Sequence, residues 1–448
     1  MMLNRYMFTF AHQVGDLNFY PTYKQLLKNQ WKSHDALKDD QEKQLRHMVK
    51  FAYESVPFYR RLFDTKGINP ASIQTVEDLE KVPIITKEMI NEHRKDFEPV
   101  TLRQIKYSTA ATGGTSGHPL KYRLSNFDRF LSGAILYRGW GYGGYELGDR
   151  MVFLAGSSLD VGPKSGFVKK AHEVVRNLKK LSSFDMGDRE MREYAGVINS
   201  FKPKYIRGYA SSLSLFATWL EVNDVKIHAP KGIFTTSEKL YPAMRKKISE
   251  AFGCPVFDNY GLSDGGVTAF ECPEHSGLHI DTERSILEVV DEQGEQISQG
   301  EGRIVATSLY NYAMPFLRYD TTDDGVITDE TCSCGRSYKL LKEVKGRSVD
   351  ILLTPEGKHV HGWFFLYIFW EQKGIKEYQV VQHALDRIVI QIVPEASFDE
   401  RQLDEIRASV RKRSEGWNLE FRIVDHIDRT ASGKFKFIVN RMDEKLIA

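Results

Sequence analysis

Apolar side chains in the first hundred residues recur every three or four positions, which is the spacing of one face of a helix. The segment QEKQLRHMVKFAYESV, residues 41–56, shows this pattern. Prolines interrupt it at positions 57, 70 and 83. We therefore predict that residues 20–98 form several helices separated by short turns.

From residue 151 the pattern changes, because short apolar runs begin to alternate with helical stretches. The runs predict strands at 151–156, 204–209, 232–237 and 255–261. Helical patterns begin after Ser165, at about residue 211 and at about Pro242. This strand–helix alternation predicts a parallel, doubly wound α/β sheet.

Helical spacing becomes rare from about residue 285. Two runs, 285–291 and 301–309, predict strands joined by the turn DEQGE, so this part of the chain is β-rich. Beyond a predicted boundary at 345–350, the pattern indicates a compact α+β unit. Its predicted elements are strands at 376–382, 386–393 and 419–424 and a helix at 401–414. We predict an α/β protein with a large N-terminal domain, residues 1–346, and a small C-terminal domain, residues 347–448.

The composition indicates a globular protein of more than one domain. The chain has 448 residues, which is long for a single core and fits two or three domains. Hydrophobic residues make up 41% and charged residues 27%, values that are ordinary for a globular protein. The net charge of +2 gives no basic excess that would favour nucleic acid as a partner.

No segment has the pattern of a membrane span or a secretory signal. Charged and polar residues interrupt the N-terminal stretch, and the apolar run at 363–370 is far too short to cross a bilayer. We therefore expect a cytoplasmic protein with no transmembrane segment. The oligomeric state is not readable from the sequence, and a homodimer is the commonest assembly of soluble proteins.

Residues 108–119, with the sequence STAATGGTSGHP, carry the strongest local chemical signal. Glycines let the backbone curl and bring N–H groups close to an anion, and neighbouring hydroxyl groups add donors. The Gly-Lys-Ser/Thr of a Walker A loop does not follow at the required spacing. Alone, the segment is compatible with a phosphate-binding loop or with a flexible surface loop.

This segment resembles the Ser/Thr/Gly phosphate loop of the adenylate-forming superfamily, which includes acyl-CoA synthetases and peptide-synthetase adenylation domains. It is more closely similar to the branch that contains phenylacetate–CoA ligases and CapK-like capsule-biosynthesis proteins. Four further motifs follow in the family's order, so the resemblance covers nearly the whole chain. It implies a large adenylate-forming domain, a small mobile lid, and activation of a carboxylic acid with ATP and Mg²⁺.

The second motif, residues 259–264, reads NYGLSD and is called the tyrosine motif below. In the family its aromatic residue, here Tyr260, stacks by adenine, and its last residue helps to hold Mg²⁺. That last residue is usually Glu. The shorter carboxylate of Asp264 also suits a hard cation, either directly or through water. Without the family's order of motifs, this segment would be read as a turn at the end of a strand.

The third motif, residues 319–323, reads YDTTD, and its final residue, Asp323, matches the family's acceptor for both ribose hydroxyls. The fourth, residues 346–350, matches the hinge between the two domains, with Arg347 near the nucleotide. Val349 departs from the family pattern, which has two acidic residues after the small residue. This departure puts CoA in doubt as the second substrate.

The fifth motif, residues 429–434, reads RTASGK and ends in Lys434. In the family a lysine on the lid bridges the carboxylate and the α-phosphate. Adenylation brings two anions together, so an ammonium group and Mg²⁺ would stabilise the transition state. Without the family, the segment would be a solvated basic tail. The resemblance implies that Lys434 and Asp264 are the catalytic residues.

The resemblance also assigns a set of nucleotide-binding positions along the chain. They are Ser108, Thr109, Thr112, Gly113, Gly114, Thr115, Ser116, Gly117, His118, Ser237, Glu238, Asn259, Tyr260, Gly261, Ser263, Asp323 and Arg347. His118 stands where many relatives have Lys. Because histidine is only partly charged near neutral pH, we expect a modest change in nucleotide handling there.

Cysteine and histidine residues form two clusters, at 271–279 and 332–335. Two such clusters are what a closed tetrahedral zinc site needs, although Cys-x-Cys is less typical than Cys-x-x-Cys. Some members of the branch carry a structural zinc between these segments, and the matching ligands are Cys272, His279, Cys332 and Cys334. His275 competes with His279, and reduced thiols with no metal are the alternative.

The acid itself is not readable. The acid pocket of the family lies between the phosphate loop and the second motif, and by order in the chain Trp140, Tyr142, Tyr209 and Phe234 are candidates to line it. Arg207 could pair with an anionic substrate or with a surface carboxylate, and the second role is the commoner one.

Three functions remain open at this point. The first is acyl-adenylate formation followed by transfer to CoA. The second is transfer to an amine or hydroxyl in surface-polysaccharide assembly, which Val349 slightly favours. The third is a non-catalytic nucleotide- and zinc-binding scaffold or sensor, against which the presence of Lys434, Asp323 and Asp264 argues.

Overall fold

The structure is a computed structural model that describes most of the chain. The described residues are 8–9, 17–111, 120–155, 173–183, 186–345, 351–361, 363–370, 372, 374–394, 397–427 and 438–442. Their α-helices are α1 (Phe19–Asn29), α2 (His34–Ser55), α3 (Pro57–Lys66), α4 (Lys87–Glu92), α5 (Asn126–Tyr142), α6 (Asp188–Phe201), α7 (Ala210–Val222), α8 (Pro242–Phe252), α9 (Trp363–Trp370) and α10 (Arg401–Arg411). Short 3₁₀ turns occupy Pro70–Ser72, Glu77–Lys81 and Leu102–Gln104.

Twenty strands complete the described elements. They are β1 (Tyr107–Ala111), β2 (Lys121–Ser125), β3 (Met151–Ala155), β4 (Leu178–Ser182), β5 (Tyr205–Tyr209), β6 (Gly232–Thr236), β7 (Val256–Phe257), β8 (Asn259–Gly261), β9 (Thr268–Glu271), β10 (Leu278–Ile280), β11 (Ser285–Val290), β12 (Gly300–Ser308), β13 (Tyr319–Thr328), β14 (Leu340–Val344), β15 (Ile351–Leu353), β16 (His359–His361), β17 (Ile375–Ala384), β18 (Arg387–Pro394), β19 (Asn418–Ile423) and β20 (Ile438–Asn440).

The helical N-terminal region follows local capping rules. Helix α2 begins after Ser33, whose hydroxyl accepts a hydrogen bond from the backbone N–H of Ala36. Helix α3 has Pro57 in its first turn and ends at Gly67, where φ is +65°. The predicted helical character of this region is therefore confirmed, and its apolar faces pack against β2 and the loops after β12.

A five-stranded parallel sheet in the order β4-β3-β5-β6-β7 forms the centre of the α/β part. Alternate residues of its strands point to opposite faces. Ile206 and Ile233 pack with α6, α7 and α8 on one face, while Tyr205 and Phe234 pack with α5 on the other. Helices thus cover both faces, and the doubly wound prediction is confirmed.

The predicted strand at 255–261 is wrong as a single element. It divides into β7, which ends the parallel sheet, and β8, which belongs to another sheet. Asp258 stands at the division and accepts a hydrogen bond of 2.6 Å from Thr235 Oγ1. Its own N–H donates to the Glu271 carboxylate over 2.7 Å, so a side chain takes the place of a strand partner for this donor.

The second large sheet has seven strands in the order β11-β12-β13-β14-β10-β9-β8 and is antiparallel. It confirms the predicted β-rich region, including the β11–β12 pair. A buried ion pair joins this sheet region to α5, because Arg284 donates to both carboxylate oxygens of Asp128 at 2.9 and 2.7 Å. Arg284 also binds the carbonyl of Gly266, which fixes the turn after the tyrosine motif.

The described residues after 350 form their own sheets and core. Strands β19-β18-β17-β20 make a four-stranded mixed sheet, and β15 pairs with β16. Helices α9 and α10 contribute to the apolar cluster of this unit. The helix predicted at 401–414 ends at residue 411. Residues 346–350 lie outside the described part, so the boundary there stays a prediction.

No helix among the described residues is both long and apolar enough to cross a membrane.

Helix α5 gives a direct test of the packing between the two large sheets. A Cβ atom added at Gly139 would overlap the ring of Phe270 in β9, whereas at Gly133 it would meet nothing within 4 Å. We expect Gly139→Ala to lower the free energy of unfolding by about 1–3 kcal/mol, because a core residue must move. Gly133→Ala, the control, should raise it by up to about 1 kcal/mol. Urea unfolding measures both, and equal effects would contradict this packing.

Candidate functional site

The second and third motifs meet between β8 and β13. The hydroxyl of Tyr260 donates a hydrogen bond of 3.0 Å to Asp323 Oδ2. Asp323 is 6% exposed and lies in β13, where its N–H donates to the Thr321 hydroxyl over 3.2 Å. A carboxylate held in this way has a defined orientation, which recognition of two vicinal hydroxyl groups requires.

Asp264 lies in the turn of the hairpin that β8 and β9 form. This turn closes with a hydrogen bond from the N–H of Leu262 to the carbonyl of Val267. The Asp264 side chain is buried. Tyr122 of β2 lies near Ser263 and Asp264, and burial together with the nearby charge of Asp264 raises the pKa of the Tyr122 hydroxyl. Strand β2 therefore lies beside the predicted magnesium-binding turn.

Strands β1 and β2 hold the two ends of the predicted phosphate loop. They pair antiparallel, with Ala111 opposite Lys121. Ser108 and Thr109 lie in β1, where Ser108 is half-buried and Thr109 is exposed. The predicted residues Thr112, Gly113, Gly114, Thr115, Ser116, Gly117 and His118 lie outside the described residues, as do Arg347 and Lys434. Their roles stay predictions.

The carboxyl end of β6 carries the next two predicted nucleotide contacts. Ser237 follows the strand directly, is exposed, and has a φ of +67°, which is uncommon for a residue other than glycine. Glu238 is half-buried. The adjacent Lys239 forms an ion pair of 2.6 Å with Glu343 of β14, so this turn is tied to the antiparallel sheet.

The residues predicted to line the acid pocket are deeply buried. Trp140, Tyr209 and Phe234 are each exposed by 2% or less. The rings of Trp140 and Phe234 stack at 5.8 Å, and the guanidinium of Arg207 lies 5.2 Å from the Trp140 ring centroid. These aromatic side chains contact one another, and their contact with an acid stays a prediction.

The expectation that Arg207 pairs with a surface carboxylate is wrong for the part of the chain that the structure describes. Its hydrogen-bond partner is the Thr236 hydroxyl, 3.2 Å from Nη2, and its Nε is buried with no partner. Burial lowers the pKa of Arg207 to about 10, so the group is still charged at neutral pH. The alternation in KYIRGY was the available signal, because it places Arg207 on the same face as Tyr205.

Cys272 directly follows β9, His279 lies in β10, and Cys332 and Cys334 lie in the segment between β13 and β14. Their ligand atoms are all within 4.8 Å of one another. The Sγ atoms of Cys272 and Cys332 are 3.6 Å apart, and Sγ of Cys334 is 3.4 Å from Nε2 of His279. Tetrahedral zinc with bonds of about 2.3 Å to sulfur requires edges of roughly 3.7 Å. The donor set and its spacing therefore fit zinc.

Burial sets the protonation of this cluster. It raises the pKa of the Cys272 thiol to about 12 and lowers the pKa of His279 to about 4. His279 is therefore neutral at pH 7, as a metal ligand must be. Burial also opposes ionisation of Cys334, but hydrogen bonds from Arg336 outweigh it and lower the pKa of that thiol. His275 points elsewhere, with its Nδ1 3.0 Å from Glu271.

The sequence patterns did not single out Tyr122, whose hydroxyl lies near Ser263 and Asp264 of the second motif. The only signal was its position as an apolar residue soon after the loop. Such a residue is usually part of the core, so nothing local distinguishes its role.

Several known proteins are similar to this chain in sequence. Residues 352–441 match the family model described as the CapK C-terminal domain. The protein CapK of Staphylococcus aureus is 23% identical over 411 residues, which is 90% of this chain and 89% of that protein. The phenylacetate–coenzyme A ligase of Thermus thermophilus is 29% identical over 327 residues, 71% of this chain and 72% of the ligase.

A solved structure shares the fold over nearly the whole chain. The 2-hydroxyisobutyryl-CoA ligase, in complex with 2-HIB-AMP and CoA in the thioesterification state, has a TM-score of 0.64 at 20% identity. The match covers 93% of this chain and 92% of that ligase. The chain is thus similar over most of its length to the phenylacetate–CoA ligase and CapK-like branch of the adenylate-forming superfamily, and it shares the fold of a solved acyl-CoA ligase.

Proposed function

We propose that this protein uses ATP and Mg²⁺ to convert a carboxylic acid to an acyl-adenylate, with release of pyrophosphate. The observation that supports this most is the orientation of Asp323 by Tyr260, 3.0 Å away, in the position that the family uses for ribose. Pairing of a carboxylate with two hydroxyl groups is specific in geometry and would fix the nucleotide for attack at its α-phosphate.

Asp264 would hold Mg²⁺, because a carboxylate is a preferred ligand of this ion. When bound, the ion would neutralise charge on the phosphates and on the departing pyrophosphate. Other side chains of the protein surround the turn that carries Asp264. Tyr122 and Ser263 lie against the turn, and the Arg284 contact with Gly266 holds the turn in place.

The acyl group then passes to an acceptor, for which two candidates have separate support. The likeness to phenylacetate–coenzyme A ligases favours CoA. The match of residues 352–441 to the CapK C-terminal domain, together with Val349 in the hinge motif, favours an amine or hydroxyl in surface-polysaccharide assembly. Trapping of the purified acyl-adenylate complex with CoA or with amino sugars distinguishes them.

We also propose that Cys272, His279, Cys332 and Cys334 hold a structural zinc ion. Four protein ligands would fill a tetrahedral shell and leave no open position for catalysis. The ion would tie β9 and β10 to the segment before β14, and so would stabilise the sheet that carries Asp323.

The test of the proposed function is ATP–pyrophosphate exchange with Mg²⁺ and a panel of acids: arylacetates, benzoates, fatty acids, uronic acids and amino acids. We expect exchange that depends on one class of acid. Asp323→Asn should raise the KM for ATP about 10- to 100-fold, because an amide replaces a charged acceptor.

Asp320→Asn serves as the matched control for this experiment. Asp320 lies in the same strand and pairs with Arg303 at 3.2 Å rather than with Tyr260. It should leave the KM for ATP near the wild-type value. Exchange without any acid, or an equal effect of both variants, would contradict the assignment.

A further inference from the structure

Arg207 differs from the other arginines in the interior of this protein. Arg138, Arg284 and Arg318 are at most 3% exposed, and each forms an ion pair with a carboxylate. Arg207 is partly buried and has no carboxylate partner within the described ranges. The described structure instead surrounds it with the Trp140 and Phe153 rings, at 5.2 and 5.7 Å, and the Thr236 hydroxyl.

A buried charge without a counter-charge destabilises a folded protein. Aromatic rings offset this cost only in part. Nε of Arg207 is buried with no hydrogen-bond partner, so one donor of the planar guanidinium is unused. Such an arrangement is expected where a ligand, rather than the protein, supplies the anion.

The topology places Arg207 where a doubly wound sheet binds its ligand. Strand β4 lies on one side of β3 and β5 lies on the other side, so the strand order reverses at β3. The crevice at this reversal lies beyond the carboxyl ends of β3 and β5. Arg207 is two residues from the end of β5, opposite Phe153 in β3 and Phe234 in β6.

We propose that Arg207 binds a second carboxylate on the acid that is activated, so that the preferred substrate is a dicarboxylic acid. The inference rests on the proposed adenylation activity and names its substrate class. A carboxylate that is paired with a guanidinium is a poorer nucleophile, so this pairing suits the group that does not react. The guanidinium fork also matches a carboxylate in two parallel hydrogen bonds.

The test compares matched pairs of acids in ATP–pyrophosphate exchange: hexanoate with adipate, and phenylacetate with 4-carboxyphenylacetate. The wild-type protein should favour the diacid of a pair by tenfold or more in kcat/KM. Arg207→Gln should lower kcat/KM for that diacid about 10- to 100-fold and leave the monoacids unchanged, because one charged hydrogen-bonding partner is lost. Arg207→Lys should keep part of the preference.

Arg150→Gln is the matched control, because this arginine precedes β3 at the amino-terminal edge of the same sheet and binds the carbonyl of Phe201 at 3.1 Å. It should retain the diacid preference. Equal use of monoacids and diacids by the wild type would overturn the proposal, as would equal loss of both in Arg207→Gln.

A second measurement does not depend on turnover. Adipate should raise the thermal unfolding midpoint of the wild-type protein more than hexanoate does, and Arg207→Gln should abolish the difference. If no acid supports exchange but this difference is present, the proposed activity fails while the Arg207 site stands. If adipate and hexanoate have the same effect on the wild type, the Arg207 site fails.

Discussion

Replacement of Lys434 by alanine should lower acid-dependent ATP–pyrophosphate exchange by about 100- to 1000-fold, with little change in the affinity for ATP. The physical reason is that a carboxylate must approach an anionic α-phosphate, and charge accumulates between them in the transition state. Removal of one group that stabilises such charge typically costs this much in rate. The variant should therefore lose kcat rather than nucleotide binding.

Lys436→Ala is the matched control, since it removes the same charge two positions further along the chain. It should keep exchange within a few-fold of the wild type. Isotope exchange gives the rate, and equilibrium binding of ATP gives the affinity. Unchanged exchange in Lys434→Ala would refute its catalytic role, and loss of ATP binding would assign it to ground-state binding instead.

Replacement of Cys332 by serine should remove the zinc and lower the free energy of unfolding by about 3 kcal/mol or more. Structural zinc contributes about 10–16 kcal/mol in small zinc-dependent domains, and here the surrounding cores retain part of the stability. The four ligand atoms, all within 4.8 Å, come from the end of β9, from β10 and from the segment between β13 and β14. Without the ion, only the sheet hydrogen bonds and apolar contacts would join them.

Cys254→Ser is the control, because Cys254 is also buried but lies in the apolar cluster beside α8. It should keep one zinc per chain. Elemental analysis measures the metal, and thermal unfolding with and without a strong chelator measures stability. A wild-type protein that carries no zinc, or one that a chelator does not destabilise, would contradict the proposal.

The same variant separates a structural role from a catalytic one. If the ion is structural, the folded fraction of Cys332→Ser should adenylate its acid at a rate near that of the wild type at low temperature. This follows because four protein ligands would fill the coordination shell of the ion, and neither Asp323 nor Asp264 is among them.

Local sequence was sufficient for most of the secondary structure. Alternation and helical spacing depend on neighbours along the chain, and they predicted β3, β5 and β6, helices α7 and α8 and the β11–β12 pair. Strand β4 of the parallel sheet and helices α5 and α6 were not predicted. The same patterns failed at Asp258, where one apolar run contributes to two sheets. The hydrogen-bond partners of Asp258 at this point are Thr235 and Glu271, which are distant from it in sequence, so local pattern carries no sign of the change of sheet.

The sequence by itself determined the class of protein, the order of its motifs and the identity of the candidate ligands. Only the tertiary structure decided which of these side chains meet: Tyr260 with Asp323, and His279 rather than His275 with the three cysteines. It also decided the surroundings of Arg207, although arginine is usually a surface residue. In the described structure Arg207 lies among aromatic rings and has no carboxylate partner. Spacing along the chain specifies local conformation, whereas burial and charge pairing depend on residues that only folding brings together.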